Sequence, residues 1–150
     1  VSSPILVSFP GGLRVDARVG GHVIRTDQPP SDDGRGGAGE APAPYDLFLA
    51  SIATCAGIYA LAYCRARDLP TEGLSLSQSI LEHDPATKLP TRIALGLTLP
   101  EGFPEHHRPA ILRAINGCKV KKTIAQGLAF EVIDASPTQP KPPTIEAAHV

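Results

Sequence analysis

Three cysteines, Cys55, Cys64 and Cys118, are the side chains of this sequence best suited to chemistry. An odd number of thiols in a chain large enough to fold without staples reads as reduced and cytoplasmic. Taken singly, each has a plainer reading, because an internal cysteine is commonly a small hydrophobe. Cys55 and Cys118 stand too far apart for a Cys-x-x-C motif, so any pairing is left to the fold. Cys64 follows Cys55 by nine residues, which on a helix turning about 100° per residue is half a turn away. It cannot share a site with Cys55 within one chain and reads as core filler. A Cys55 that ionises near neutrality needs help: a free thiol has a pKa of about 8.5, burial raises it, and a mid-helix position gains little from the N-terminal dipole. The glycine-rich run Asp33-Gly34-Arg35-Gly36-Gly37-Ala38-Gly39 offers one cation, Arg35, able to fold over the helix. That run lacks the G-x-x-x-x-G-K-[ST] pattern of a phosphate loop. His106 and His107 are sequence neighbours pointing to different helix faces, with no matching Cys or carboxylate, so they read as a solvated helix start. No metal or cofactor is expected, and no G-x-S-x-G elbow is present.

The elements that must position these residues follow from periodicity. Ile5–Phe9 can form a first strand. Leu13, Val15, Ala17 and Val19 alternate with polar residues as a half-buried strand does, between Gly11-Gly12 and Gly20-Gly21 turns, and His22–Thr26 returns as a third strand. Residues 27–43 lose all periodicity, and a loop of more than about 12 residues in a compact domain is usually functional or disordered. Pro44 opens a helix to about Arg67 that is apolar on nearly every side and so belongs within a core. Leu74–Glu82 and Thr91–Leu99 read as strands joined at Asp84-Pro85. A second helix is expected over Pro104–Gln126, with Ile111, Ile115 and Cys118 on one stripe. Leu128–Asp134 reads as a last strand. The order is β-β-β-α-β-β-α-β, an α+β arrangement, as one domain over 1–135 with a Pro-rich, mobile tail over 136–150.

Bulk properties narrow the function. The chain has 150 residues, 42% of them hydrophobic, and a formal net charge of −1 spread along its length. There is no basic face for nucleic acid. No uncharged apolar run reaches the roughly 18–20 residues of a membrane span, the nearest being 47–62. No charged segment with a short apolar stretch and cleavage site opens the chain, so no signal peptide is expected.

Gly36-Gly37-Ala38-Gly39 through Ala43-Pro44-Tyr45-Asp46-Leu47, the helical Ala50-Ser51-Ile52-Ala53-Thr54-Cys55, and Cys118-Lys119-Val120-Lys121-Lys122-Thr123 together resemble the OsmC/Ohr family, named for osmotically induced protein C and organic hydroperoxide resistance protein. The resemblance covers about residues 10–134. It implies an intertwined homodimer with active sites at the subunit interface. It also implies thiol-dependent reduction of organic hydroperoxides in antioxidant defence, with an external dithiol as reductant. In that scheme Cys55 is the peroxidatic cysteine and Cys118 the resolving one. The arginine that polarises the thiolate maps onto Arg35, or in another branch onto Arg14 or Arg18. Peroxidases of the family carry Glu directly after the helix-starting proline. Here Tyr45 stands there, and Asp46 is the acid left to orient Arg35. Tyr45, Phe48, Ile52 and Tyr59 give the apolar substrate surroundings. The competing expectation is a non-peroxidase member of the same fold that binds a small apolar ligand at the interface, with unreactive thiols.

Overall fold

The structure is a computed structural model that describes residues 4–136. Three strands come first: β1 (Leu6–Gly11), β2 (Arg14–Val19) and β3 (His22–Ile24), an antiparallel meander in the order β1-β2-β3. Gly12 and Gly20 take φ of 58° and 57° at the two turns, a conformation that glycine enters without a Cβ penalty. The meander ends sooner than its alternation suggests. Thr26, beyond the end of β3, still meets Val15 in the same register, accepting the Val15 N–H and donating its hydroxyl to the Val15 carbonyl.

Helix α1 (Pro44–Arg65) follows the long loop. Pro44 occupies the first helical position, where its missing N–H costs nothing, and the Asp46 carboxylate accepts the Ala43 N–H at 3.1 Å. At the other end Asp68 turns left-handed (φ 51°) and Leu69 N–H closes onto the Cys64 carbonyl. By length and composition α1 could cross a membrane. Its contacts are those of a core helix: α2, α3 and β4 pack on it. Only one stripe is buried, through Ile52, Ala56, Ala60, Tyr63 and Cys64. Tyr45, Phe48 and Ile58 remain exposed, so within one chain the helix is covered on one side and not all round.

Strands β4 (Ser75–His83) and β5 (Pro90–Thr98) form a two-stranded antiparallel hairpin, closed by the Asp84 carboxylate on the N–H groups of Ala86 and Thr87. Leu76, Leu95 and Leu97 turn their side chains toward α1 and join Phe103, Ile111 and Ile115 in the core. Burying a side chain such as Ile111 (0% exposed) stabilises the fold by about 2–3 kcal/mol.

Two expectations change here. The segment 104–126 is not one helix but a 3-10 turn (Glu105–His107), α2 (Arg108–Asn116) and α3 (Lys119–Gln126). Gly117 ends α2, and Cys118 adopts φ −48°, ψ 123°, outside the helical region, so the stripe drawn through Ile111, Ile115 and Cys118 crosses a break. The second change is at Leu128–Asp134, which joins no sheet. Its alternation is real, yet Phe130 and Val132 are 88% and 98% exposed, and among the described residues no strand pairs with them. Residues 137–150, which hold most of the expected tail, lie outside the described residues.

Candidate functional site

The break between α2 and α3 builds the site. Gly117 lacks a side chain where a Cβ would meet the Ala114 carbonyl at 3.0 Å and the Tyr59 ring at 3.5 Å, so α1 and the α2–α3 junction approach closely. Immediately after it, Cys118 is the N-cap of α3 and is fully buried. Helix α1 presents Ile52, Cys55 and Tyr59 along one row toward this junction, at the i, i+3 and i+7 spacing of a shared face.

Cys55 and Cys118 therefore meet. Both are free thiols, Cys55 half-buried and Cys118 without surface. The Cys55 thiol is held below its ordinary pKa first by a hydrogen bond from Cys118 and next by the Val120 N–H. The Lys119 N–H and the charge of Lys121 add to this, and burial opposes it. Lys119 and Val120 open α3, and their N–H groups have no partner within the helix. A sulfur anion is what such donors accept, helped by the positive end of the helix dipole. The sequence reading sought a cation for a thiol in the middle of α1. It missed the start of another helix, pointed at that thiol. Cys64, by contrast, is fully buried in the core and its thiol is pushed up by burial, as filler should be.

The other expected site residues are distributed differently. Arg35 is 88% exposed in its side chain and lies 3.9 Å from Asp33 of its own loop, and it is not among the groups acting on Cys55. Arg14 is taken by Asp16 at 3.2 Å. Asp46 is engaged at the start of α1 and makes no contact with Arg35. The loop carrying Arg35 is organised by Asp27, which sequence reading passed over. Its carboxylate is 1% exposed and accepts the N–H groups of Gln28 (2.8 Å) and Glu40 (3.1 Å). Those bonds, with others from Ala38 and Gly39, outweigh burial and hold its pKa low. Gly37 is required there, since a Cβ would sit 2.3 Å from the Asp27 carboxylate.

An apolar groove of about 800 Å³ runs between α1, β5, α2 and α3; its wall includes Ile52, one turn before Cys55, and Asn116, two residues before Cys118, but neither thiol. Tyr45 and Phe48, stacked at 5.8 Å, line it with Ile52, and among the described residues Lys121 is the one charged residue in its wall. Tyr59 is not part of this wall. Its ring lies against Gly117. Among the described residues no group of three His, Cys, Asp or Glu side chains could hold a metal ion.

Comparisons with known proteins bear on the family and the fold. An OsmC-like protein family model matches residues 37–133, which takes in α1, both thiols and the α2–α3 break. A solved osmotic stress induced and detoxification response protein from Psychrobacter arcticus 273-4 is similar in fold. It has a TM-score of 0.65 and 20% identity, covering 81% of this chain and 88% of that one. A second solved structure, from structural genomics, has a TM-score of 0.55 and 18% identity over 83% of this chain and 90% of its own. No curated protein matches. With two-thirds of its residues under the family model and the same α+β fold as these structures, the chain belongs to the OsmC-like protein family.

Proposed function

We propose that this protein is a thiol-dependent organic hydroperoxide reductase, in which Cys55 is the attacking sulfur and Cys118 resolves it. The observation that carries the reading is the meeting of the two thiols at the start of α3, where Cys118 and main-chain donors favour the Cys55 thiolate. The thiolate attacks one oxygen of R–O–O–H. The O–O bond breaks, the alcohol R–OH departs after taking up a proton, and Cys55 becomes a sulfenic acid. The Cys118 sulfur then displaces the sulfenic oxygen as water, forming a disulfide. An external dithiol reduces it by exchange and is itself oxidised. The apolar groove that reaches Ile52, one turn before Cys55 on α1, supports an alkyl-bearing peroxide over hydrogen peroxide.

The working form is read as a homodimer. Leu128, Phe130 and Val132 alternate as a strand does and lie open, as do Phe9, Val23 and Ile58, and another copy of the chain is the partner that can cover them. The protein is read as cytoplasmic, a reading supported by three cysteines that form no stapling disulfide. The test is peroxide consumption by the reduced protein with an alkyl hydroperoxide and a dithiol. Cys55→Ser is expected to lose turnover by about 10³-fold or more. Cys118→Ser should complete a single turnover and leave a sulfenic acid that dimedone captures. Wild-type turnover by Cys55→Ser would exclude the reading.

A second reading is favoured by one observation, the stacked Tyr45–Phe48 pair on the groove, with Tyr45 standing where family peroxidases carry Glu. In it the groove holds a small apolar ligand and the thiols do no chemistry. It predicts saturable binding of an apolar fluorophore with no peroxide consumed.

A further inference from the structure

We propose, on the reading of Cys55 as the attacking sulfur and Cys118 as the resolving one, that Tyr59 is a positioning residue: its ring holds the α2–α3 junction so that Cys118 stays within reach of Cys55. Cys55 and Tyr59 stand one turn apart on α1, and the Tyr59 ring faces Gly117, the residue directly before Cys118. A Cβ at Gly117 would lie 3.5 and 3.6 Å from two carbons of that ring. The gap between ring and main chain is therefore no wider than a methyl group. The ring carbons Cε1 and Cδ1 make this approach, and not the hydroxyl. Tyr63, one turn further along α1, is engaged instead by His107 at 2.8 Å and takes no part in it.

Within the junction the main chain holds its own shape. The Gly117 N–H bonds the Ala114 carbonyl at 2.9 Å, and the Cys118 N–H bonds the Ile115 carbonyl at 3.2 Å. Those bonds fix the turn but not its distance from α1. Packing sets that distance, through Ile111 and Ile115 in the core and through Tyr59 at the turn itself. Resolution is the step that feels it. The Cys118 sulfur attacks the sulfenic sulfur of Cys55, the S–S bond forms, the S–O bond breaks, and the hydroxyl leaves with the Cys118 proton as water. A disulfide needs Cα atoms within about 7 Å, and a misplacement of about 1 Å between reacting groups can slow a step by about 10²-fold. Cys118 is fully buried, so it cannot recover a lost approach by swinging through solvent. Attack on the peroxide needs only the half-buried Cys55 sulfur and its access.

The experiment times the two steps separately in the full-length protein with cumene hydroperoxide. Rapid acid quenching and intact mass distinguish the sulfenic acid, one oxygen heavier, from the disulfide, two hydrogens lighter. It is run at about pH 9.5, above the ordinary thiol pKa of about 8.5, so that ionisation of Cys55 does not enter the comparison. In Tyr59→Leu the sulfenic acid should form at close to the wild-type rate and the disulfide more slowly by roughly ten- to 10²-fold. The longer-lived sulfenic acid should then pass to sulfinic acid in excess peroxide. Tyr59→Phe keeps the ring and should resolve as the wild type does. Gly117→Ala, whose methyl presses on the Ala114 carbonyl at 3.0 Å, should slow the same step and spare the first. A fold merely loosened by losing the ring would slow both steps and open the buried Cys64 to alkylation. Wild-type resolution in Tyr59→Leu, equal slowing of both steps, or no rescue by Tyr59→Phe overturns the proposal while hydroperoxide reduction still stands. A wild-type protein that forms neither sulfenic acid nor disulfide overturns both.

Discussion

His107 is the residue outside the thiol site whose protonation the fold resists. Its Nδ1 shares a 2.8 Å hydrogen bond with the Tyr63 hydroxyl, over whose ring the Arg67 guanidinium lies at 4.0 Å, and His106 stacks on it at 4.2 Å. Burial, then His106 and Arg67, lower its pKa. A lowered folded pKa means that the unfolded chain binds the proton more readily. The stability is therefore complete above the ordinary histidine value of about 6.5 and is lost as pH falls through the folded one. Urea unfolding between pH 7.5 and 5 should show the midpoint falling, and His107→Gln should flatten that fall. In sequence His106 and His107 were only a solvated helix start, because the partner Tyr63 lies 44 residues away. The thiols were more legible. Cys55 and Cys118 carry a residue type that can be searched for, whereas the N–H groups of Lys119 and Val120 belong to every residue and announce nothing. The one local sign was Asn116-Gly117, a turn dipeptide directly before Cys118.

At the level of elements, the single helix expected over Pro104–Gln126 and the three pieces observed differ by one glycine and one cysteine. Periodicity reports which residues share a face, and it passed smoothly through Gly117 because Ile111 and Ile115 precede it and Lys119 to Gln126 resume a helical pattern. Helix α1 and the β4–β5 hairpin were legible nearly to the residue, since Pro44 and Asp84 mark their boundaries by local chemistry. Asp46 shows the opposite problem. Sequence spacing offered it to Arg35, but an acid at the third position of a helix has a nearer use, the free N–H of Ala43. Asp46→Ala should therefore lower stability by about 0.5–1 kcal/mol and leave the alkylation profile of Cys55 unchanged. Thermal unfolding and the rate of Cys55 alkylation by iodoacetamide against pH measure the two sides of that expectation.

For the molecule as a whole, the α+β class and the strand-helix order were legible through β5, and the strand expected last is not formed among the described residues. Leu128–Asp134 carries a strand's alternation, but pairing is a property of two segments, and among the described residues no sheet edge takes it up. If a second copy supplies that edge, unfolding is a reaction of two chains. The apparent stability should then fall by about 1.4 kcal/mol for each tenfold dilution. Phe130→Lys with Val132→Lys should shift sedimentation from dimer toward monomer. The unequal exposure of the two sulfurs has a consequence for how the protein returns to work. Cys118 shows no surface, and Cys55 alone meets solvent. On the proposed chemistry a reductant can touch the oxidised pair only at Cys55, so the mixed disulfide forms on α1 and Cys118 is the leaving thiolate. Peroxide and reducing electrons then share one doorway, and each must wait for the other to clear it.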